Sequence, residues 1–172
     1  MTNLRLALVA AALPLLSACT AVIPIDVVRD VTLESPGGAF STSQVIDFSA
    51  EPAIWSRRSS VDGVSVDQLT ATVISVGPGH QAASVSLTIA FRPDGAPADG
   101  SRDLQVGTLS NLAFVTGASA TLHGSAALDD FLLDALQGSG KFTALASGTL
   151  AGAANAVIEI SLKGSAAVKV GG

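Results

Sequence analysis

Apolar and polar residues alternate with a period of two along most of this chain, as strands buried on one face require. Ile23, Ile25, Val27, Val31 and Leu33 alternate with Pro24, Asp26, Asp30 and Thr32, which predicts a first strand. Arg29 falls on the apolar side of that strand, as at a strand edge or a bend. Glu34 to Thr42 contains Pro36-Gly37-Gly38 and predicts a turn. Val45, Ile46 and Phe48 predict a short strand over residues 44–49. Ala50 to Gly63 carries no periodicity and reads as the longest irregular segment. Val64 to Val76 predicts a second long strand whose phase slips: Val64 and Val66 share one parity, Leu69, Ala71 and Val73 the other. A bulge near Asp67-Gln68 accounts for the slip. Ser84 to Arg92 alternates most cleanly, with Val85, Leu87, Ile89 and Phe91 inward. Across Gly77-Pro78-Gly79 these two strands predict an antiparallel hairpin.

Pro93 to Arg102 is a loop of Gly, Pro and Asp, followed by short strand patterns around Leu104 to Leu109, Leu112 to Phe114 and Ala118 to His123. One stretch changes period. Leu128, Phe131, Leu132, Ala135 and Leu136 form a helical stripe, with Ser125 placed to cap its start and Gly138 to close it in the left-handed conformation. Three strands are predicted to end the chain: Lys141 to Leu150, Ala156 to Lys163 and Ala166 to Val170. Many short strands with one helix in the C-terminal third predict a mainly-β fold, an antiparallel β-sandwich with one short helix near residues 125–137. No internal repeat or linker marks a second domain.

The first 18 residues follow different rules. Arg5 gives a positive start, Leu6 to Leu16 an apolar run, and Ser17 and Ala18 are small. This is the order of a secretory signal peptide. The run of about a dozen residues is short of the ~20 that a membrane-crossing helix needs. Leu16-Ser17-Ala18-Cys19 closely resembles the lipobox of bacterial lipoproteins. That resemblance implies thioether attachment of diacylglycerol to Cys19, cleavage before Cys19 and acylation of the new amino group. In the sorting rule of Gram-negative lipoproteins an Asp after the Cys retains the protein in the inner membrane. Thr20 stands there instead, which implies an outer-membrane location, on the periplasmic face or the cell surface. The order of helix, amphipathic strand, glycine turn and two closing strands over residues 125–170 is also similar to the end of uncharacterised lipoproteins with immunoglobulin-like sandwiches. The chain thus divides into a signal peptide, 1–18, and a single β-sandwich domain, 19–172, expected to be immunoglobulin-like.

Composition narrows the chemistry. Removing residues 1–18 takes away Arg5 and leaves 8 basic against 14 acidic residues, a net charge of −6. Such a surface argues against nucleic acid and against electrostatic binding of anionic lipid head groups, and leaves membrane contact to the N-terminal lipid. Cys19 is the only cysteine, and with it acylated no disulfide, thiol nucleophile or cysteine metal ligand remains for the domain. No cofactor is expected.

The remaining candidates for chemistry are thin. Gly138-Ser139-Gly140-Lys141 lacks the spacing of a phosphate loop, follows a helix instead of preceding one, and has Phe142 where a magnesium-binding hydroxyl belongs. Ser119 lacks the closing glycine of a nucleophile elbow. His80 and His123 have no partners at metal-ligand spacing. Asp129 and Asp130 are neighbours on a helix and diverge by roughly 100°. Asp94, Asp99 and Asp103 punctuate a loop without the spacing of a calcium-binding loop, and aspartates serve turns anyway. No catalytic residue and no metal ligand is therefore assigned, and an enzyme is not expected. Trp55, Arg57 and Arg58 form the candidate partner-binding patch, since Trp and Arg dominate binding hot spots. The competing reading has Trp55 plugging one end of the sandwich. Two functions follow: a lipid-tethered, non-catalytic structural or protein-interaction module of the cell envelope, docking on another envelope protein, or a carrier for an apolar ligand or lipid with a cavity between the sheets or under the helix.

Overall fold

A computed structural model describes residues 19–170. The signal peptide expected over 1–18 and its cleavage lie outside the described residues. Eight strands form two four-stranded antiparallel sheets packed face to face: β1 (Cys19–Ser35), β2 (Gly38–Asp47), β3 (Val61–Val76), β4 (Ser84–Pro93), β5 (Leu104–Ala113), β6 (Ser119–His123), β7 (Lys141–Leu150) and β8 (Ala154–Val170). The first sheet has the order β1-β8-β3-β6 and the second β2-β7-β4-β5. The short helix α1 (Pro52–Trp55) follows β2, and the longer α2 (Ala126–Gln137) joins β6 to β7.

The mainly-β sandwich with one substantial helix is thus present, but its strand order is not that of an immunoglobulin domain. That fold places seven strands as ABED and CFG. Here β1 pairs with β8, β2 with β7, β3 with β6 and β4 with β5. This nesting is a long antiparallel ribbon rolled into two sheets, the double Greek-key or jelly-roll order. The hairpin expected over residues 64–92 is also absent. β3 and β4 lie in different sheets. Their connection, residues 77–83, arches across the sandwich, and it exceeds the 2–5 residues typical of a hairpin loop.

Three boundaries differ from the sequence reading for identifiable reasons. β2 begins at Gly38, directly after the turn, because Gly37 and Gly38 take positive φ and complete the reversal within two residues. The two closing strands are one, β8, which runs through Gly164. β8 lies between β1 and β3, and Gly164 pairs with Ile25 on one side and Val66 on the other. A Cβ there would meet the Ser65 carbonyl, so this glycine serves close strand approach instead of a turn. Ala50 to Gly63 is not irregular. It holds single 3-10 turns at Phe48–Ala50 and Arg58–Ser60, α1 between them, and the first residues of β3.

The alternation of β4 is matched in full: Val85, Leu87, Ile89 and Phe91 are 1–4% exposed. Leu128, Leu132 and Leu136 bury the stripe of α2, with Phe131 and Ala135 packed beside them. Ser125 caps α2 by accepting from the Leu128 N–H. The closing glycine is not left-handed: Gly138 has φ −85°, and the positive φ falls at Gly140, whose N–H bonds the Ala135 carbonyl. The expected bulge is present as a register shift between Val66 and Gln68. Beyond it, residues 61–67 of β3 have no β6 partner, and α2 takes over. Asp129 accepts from the Val66 N–H at 2.7 Å, and Gln137 donates to the Val61 carbonyl at 2.9 Å. Gly124 makes this possible, since a Cβ there would collide with the Val66 carbonyl.

Candidate functional site

The Trp55 patch is built by the compact segment after β2. Pro52 opens α1, Ile54 is buried beneath it, and Trp55 is half-buried against the core. The indole lies on Gly140, whose missing side chain gives the ring its place. Arg58 stacks its guanidinium 4.1 Å from the ring centroid and donates to the Trp55 carbonyl. Arg57 and Arg58 are exposed. The structure therefore brings the three residues together but gives them different roles. Trp55 plugs the end of the sandwich, Arg58 lies over the plug, and Arg57 faces solvent.

The histidines do structural work or none. His80 accepts the Asn155 N–H at Nδ1, which puts the ring proton on Nε2, where it bonds the Ala82 carbonyl; the ring edge meets Phe114. His123 is exposed on β6. Asp94, Asp99 and Asp103 do not converge on a cation. Asp103 forms a two-pronged ion pair with Arg92, 2.7 Å on each arm, and Asp99 accepts from the Ser101 N–H. The Arg92 guanidinium holds the Asp103 carboxyl below the usual carboxylate range, and the Ser101 hydroxyl and N–H do the same for Asp99. Ser49 and, more weakly, Lys141 lower Asp47 in the same way. Among the described residues no three His, Cys, Asp or Glu side chains gather as a metal site. Ser139 turns back on the Lys141 N–H, so the glycine-rich run after α2 is a helix end leading into β7.

The ligand-carrier reading placed a cavity between the sheets, but the flank on which it lies was not legible. Between the sheets, on the flank where β1 and β2 form their free edges, lie two adjoining apolar hollows of about 60 and 50 Å³. They share Val31, Gln44, Leu69, Phe91, Ala144 and Ile160. The cause is the inward row of β7, where Ala144, Ala146 and Gly148 stand between Phe142 and Leu150 and leave the sheets under-filled. At one end the slot meets Phe40 and Leu33, at the other Phe48 and Phe142. Phe142 belongs to a ring cluster with Phe48, Phe91 and Phe131. Arg29 lines the second hollow, and Gln44 lines both. The sequence signal was present in two pieces, Arg29 on the apolar side of its strand and alanines at inward positions of β7. At the helix, Ala126 and Ala127 are exposed, and Ala135, with Phe131 and Asp134, lines a separate, more polar concavity of about 300 Å³.

No protein-family model matches the chain. No curated protein matches it. Among solved structures it is similar to a chain of "Desmodium yellow mottle tymovirus", at 10% identity over 99% of this chain and 98% of that one, with a TM-score of 0.39. A chain of "Turnip yellow mosaic virus" is similar at 11% identity over 100% and 93%, with a TM-score of 0.37. A chain of Cocksfoot mottle virus gives 10% identity over 99% and 94%, and a TM-score of 0.36. These are distant likenesses in shape, and nothing about function is taken from them.

Proposed function

We propose that this protein is a bacterial lipoprotein, lipid-anchored in the outer membrane through Cys19, acting as a non-catalytic structural or protein-interaction module of the envelope. The single observation that carries the reading is the run Leu16-Ser17-Ala18-Cys19 directly after an apolar stretch, with Cys19, the first residue described, already in β1. A lipid on that residue would hold the sandwich without a spacer. Cys19 pairs with Val170, and the 17 residues of β1 extend about 55 Å from it. Tethered so, the domain would stand with the 19/170 end at the membrane and the 36–37, 77–83 and 151–153 connections farthest away. Arg57 and Arg58 lie toward the tethered end, just before the residues of β3 that pair with Val168. In this reading they meet an acidic patch on a neighbouring envelope protein. A two- or three-chain lipid attachment gives stable anchoring where one chain would not.

Two measurements test it. Metabolic labelling with an acyl probe is expected to mark the protein and to be lost in Cys19→Ser; unchanged labelling of the variant refutes the anchor. Crosslinked outer membranes are then probed with Arg57→Ala/Arg58→Ala, which is expected to lose a partner that the parent retains. Identical partner profiles refute the arginine face.

A further inference from the structure

We infer that the slot between the free edges of β1 and β2 binds one single-chain amphiphile with an anionic head, a long-chain carboxylate, its chain between the sheets and its head on Arg29. This site does not depend on whether Cys19 is acylated.

The chemistry of the lining selects the occupant. The walls are almost wholly side-chain carbon, from Val31, Leu69, Phe91, Ala144 and Ile160. An added peptide strand lying in the slot would leave its inward N–H and C=O groups without partners. A hydrocarbon chain has none to satisfy. The wall from Val27 to Leu33 spans six residue steps, about 20 Å. The hollows of about 60 and 50 Å³ seat only part of a long chain, and the remainder would lie along the open flank between β1 and β2.

The polar end of the slot has a sign. Arg29 is the cation that lines it, and its side chain is about one-third exposed. One guanidinium nitrogen donates to the Val28 carbonyl at 2.7 Å. The other approaches Glu51 at 3.8 Å, too far for a hydrogen bond. Arg29 thus has donor capacity uncommitted, and a carboxylate arriving from solvent can take it at ordinary distance. Gln44, across the mouth on β2, adds a neutral amide. Glu51 is the acidic group facing Arg29, and it competes with the ligand head.

Cys19 lies eight residues before Val27, about 26 Å along an extended strand, so a lipid held in a bilayer at Cys19 would sit away from the slot, and the occupant proposed is a separate molecule.

The test uses the chain with Cys19→Ser, so that no attached lipid competes, and titrates it with palmitate, hexadecanol and hexadecyltrimethylammonium below their micelle concentrations. A palmitate carrying a diazirine on the chain maps the site. Palmitate is expected to bind one to one and more tightly than the other two, with crosslinks on β1, β2 and β7. Arg29→Gln is expected to weaken palmitate about tenfold, to leave hexadecanol unchanged and to keep the thermal midpoint. Glu51→Gln is expected to tighten palmitate. Ala146→Leu fills the slot and is expected to abolish binding of all three. Equal affinity for the three amphiphiles, crosslinks on the outer faces of the sheets, or no binding by the parent chain overturns the proposal. A parent chain that is dimeric by sedimentation and becomes monomeric in Arg29→Gln overturns it as well, because the slot is then an interface between two copies.

Discussion

Replacing Asp129 with alanine removes the one group that satisfies the Val66 amide where β3 loses its neighbour. The carboxylate accepts that N–H at 2.7 Å and is half-buried between α2 and the sheet. A hydrogen bond to a charged partner contributes roughly 1.5–3 kcal/mol, and an unsatisfied amide left behind costs at the upper part of that range. Asp129 also lies in the first turn of α2, where a negative charge adds about 0.3–1 kcal/mol. Partial exposure reduces both, so a loss of about 2 kcal/mol is expected. For a domain of this size each kcal/mol moves the midpoint by about 2–4 °C, which predicts a fall of about 4–8 °C. Asp129→Asn retains an acceptor oxygen and is expected to recover about half of the loss. Urea unfolding of both variants supplies the free energies, and native-state hydrogen exchange follows the Val66 amide. In Asp129→Ala that amide is expected to exchange by local opening, faster than amides in the middle of β8. Unchanged stability in Asp129→Ala, or protection at Val66 equal to that of central β8, refutes the assignment of α2 as the cover of this strand edge.

Gly140→Ala places a methyl against the indole of Trp55 at φ +76° and is expected to cost about 2 kcal/mol or more, read by chemical denaturation. Trp55→Ala, which removes a half-buried plug, is expected to cost about 2 kcal/mol, and the two together less than their sum because the collision disappears. Arg57→Ala is expected to stay within about 0.5 kcal/mol of the parent. Stability is expected to fall as pH drops. The carboxyls of Asp47, Asp99 and Asp103 titrate lower folded than unfolded, so the unfolded chain binds more protons in that window. Their contribution is complete above the unfolded value of about 3.9 and is lost as pH falls through the folded values below it. Asp103→Asn is expected to flatten this slope in pH-dependent denaturation.

The strands were legible because burial of one face leaves a two-residue rhythm that composition cannot hide: Val85 to Phe91 and Ile23 to Leu33 read directly. The helix was legible from its stripe and from Ser125. Pairing was not, because a turn such as Gly77-Pro78-Gly79 has the same composition whether the chain folds back in its own sheet or arches to the other. Glycine was ambiguous for the same reason. Gly37 reverses the chain, whereas Gly164 lets β3 and β8 approach in the middle of a sheet. Within the candidate patch the sequence supplied the residues and not their division. That Trp55 is the plug follows from Gly140, 85 positions away, and no local pattern records it. Arg29 was visible as an exception on an apolar face, but its meaning needed β1 to be an edge strand.

The two flanks of the sandwich explain why the slot lies where it does. On the β5/β6 flank, Leu122 packs against the bare backbone of Gly107, and α2 lays its buried leucines across the end of β3. That side is filled by large residues and a helix. The β1/β2 flank lacks the cover that α2 gives the other side, and the inward row of β2 carries Thr42 and Gln44 between Phe40 and Ile46. Opposite them, the inward row of β7 offers alanines. A core under that flank would gain from larger side chains at 144 and 146, since each added methylene buried without strain is worth about 0.8 kcal/mol. Small residues here forgo that stability while the rest of the interior is filled. The smaller packing coincides with a partly exposed arginine at the mouth. A cavity alone would be a packing defect and a surface arginine alone would be unremarkable. Their coincidence on one flank is what the proposed amphiphile would use, its chain adding apolar contacts and its head a hydrogen bond to Arg29.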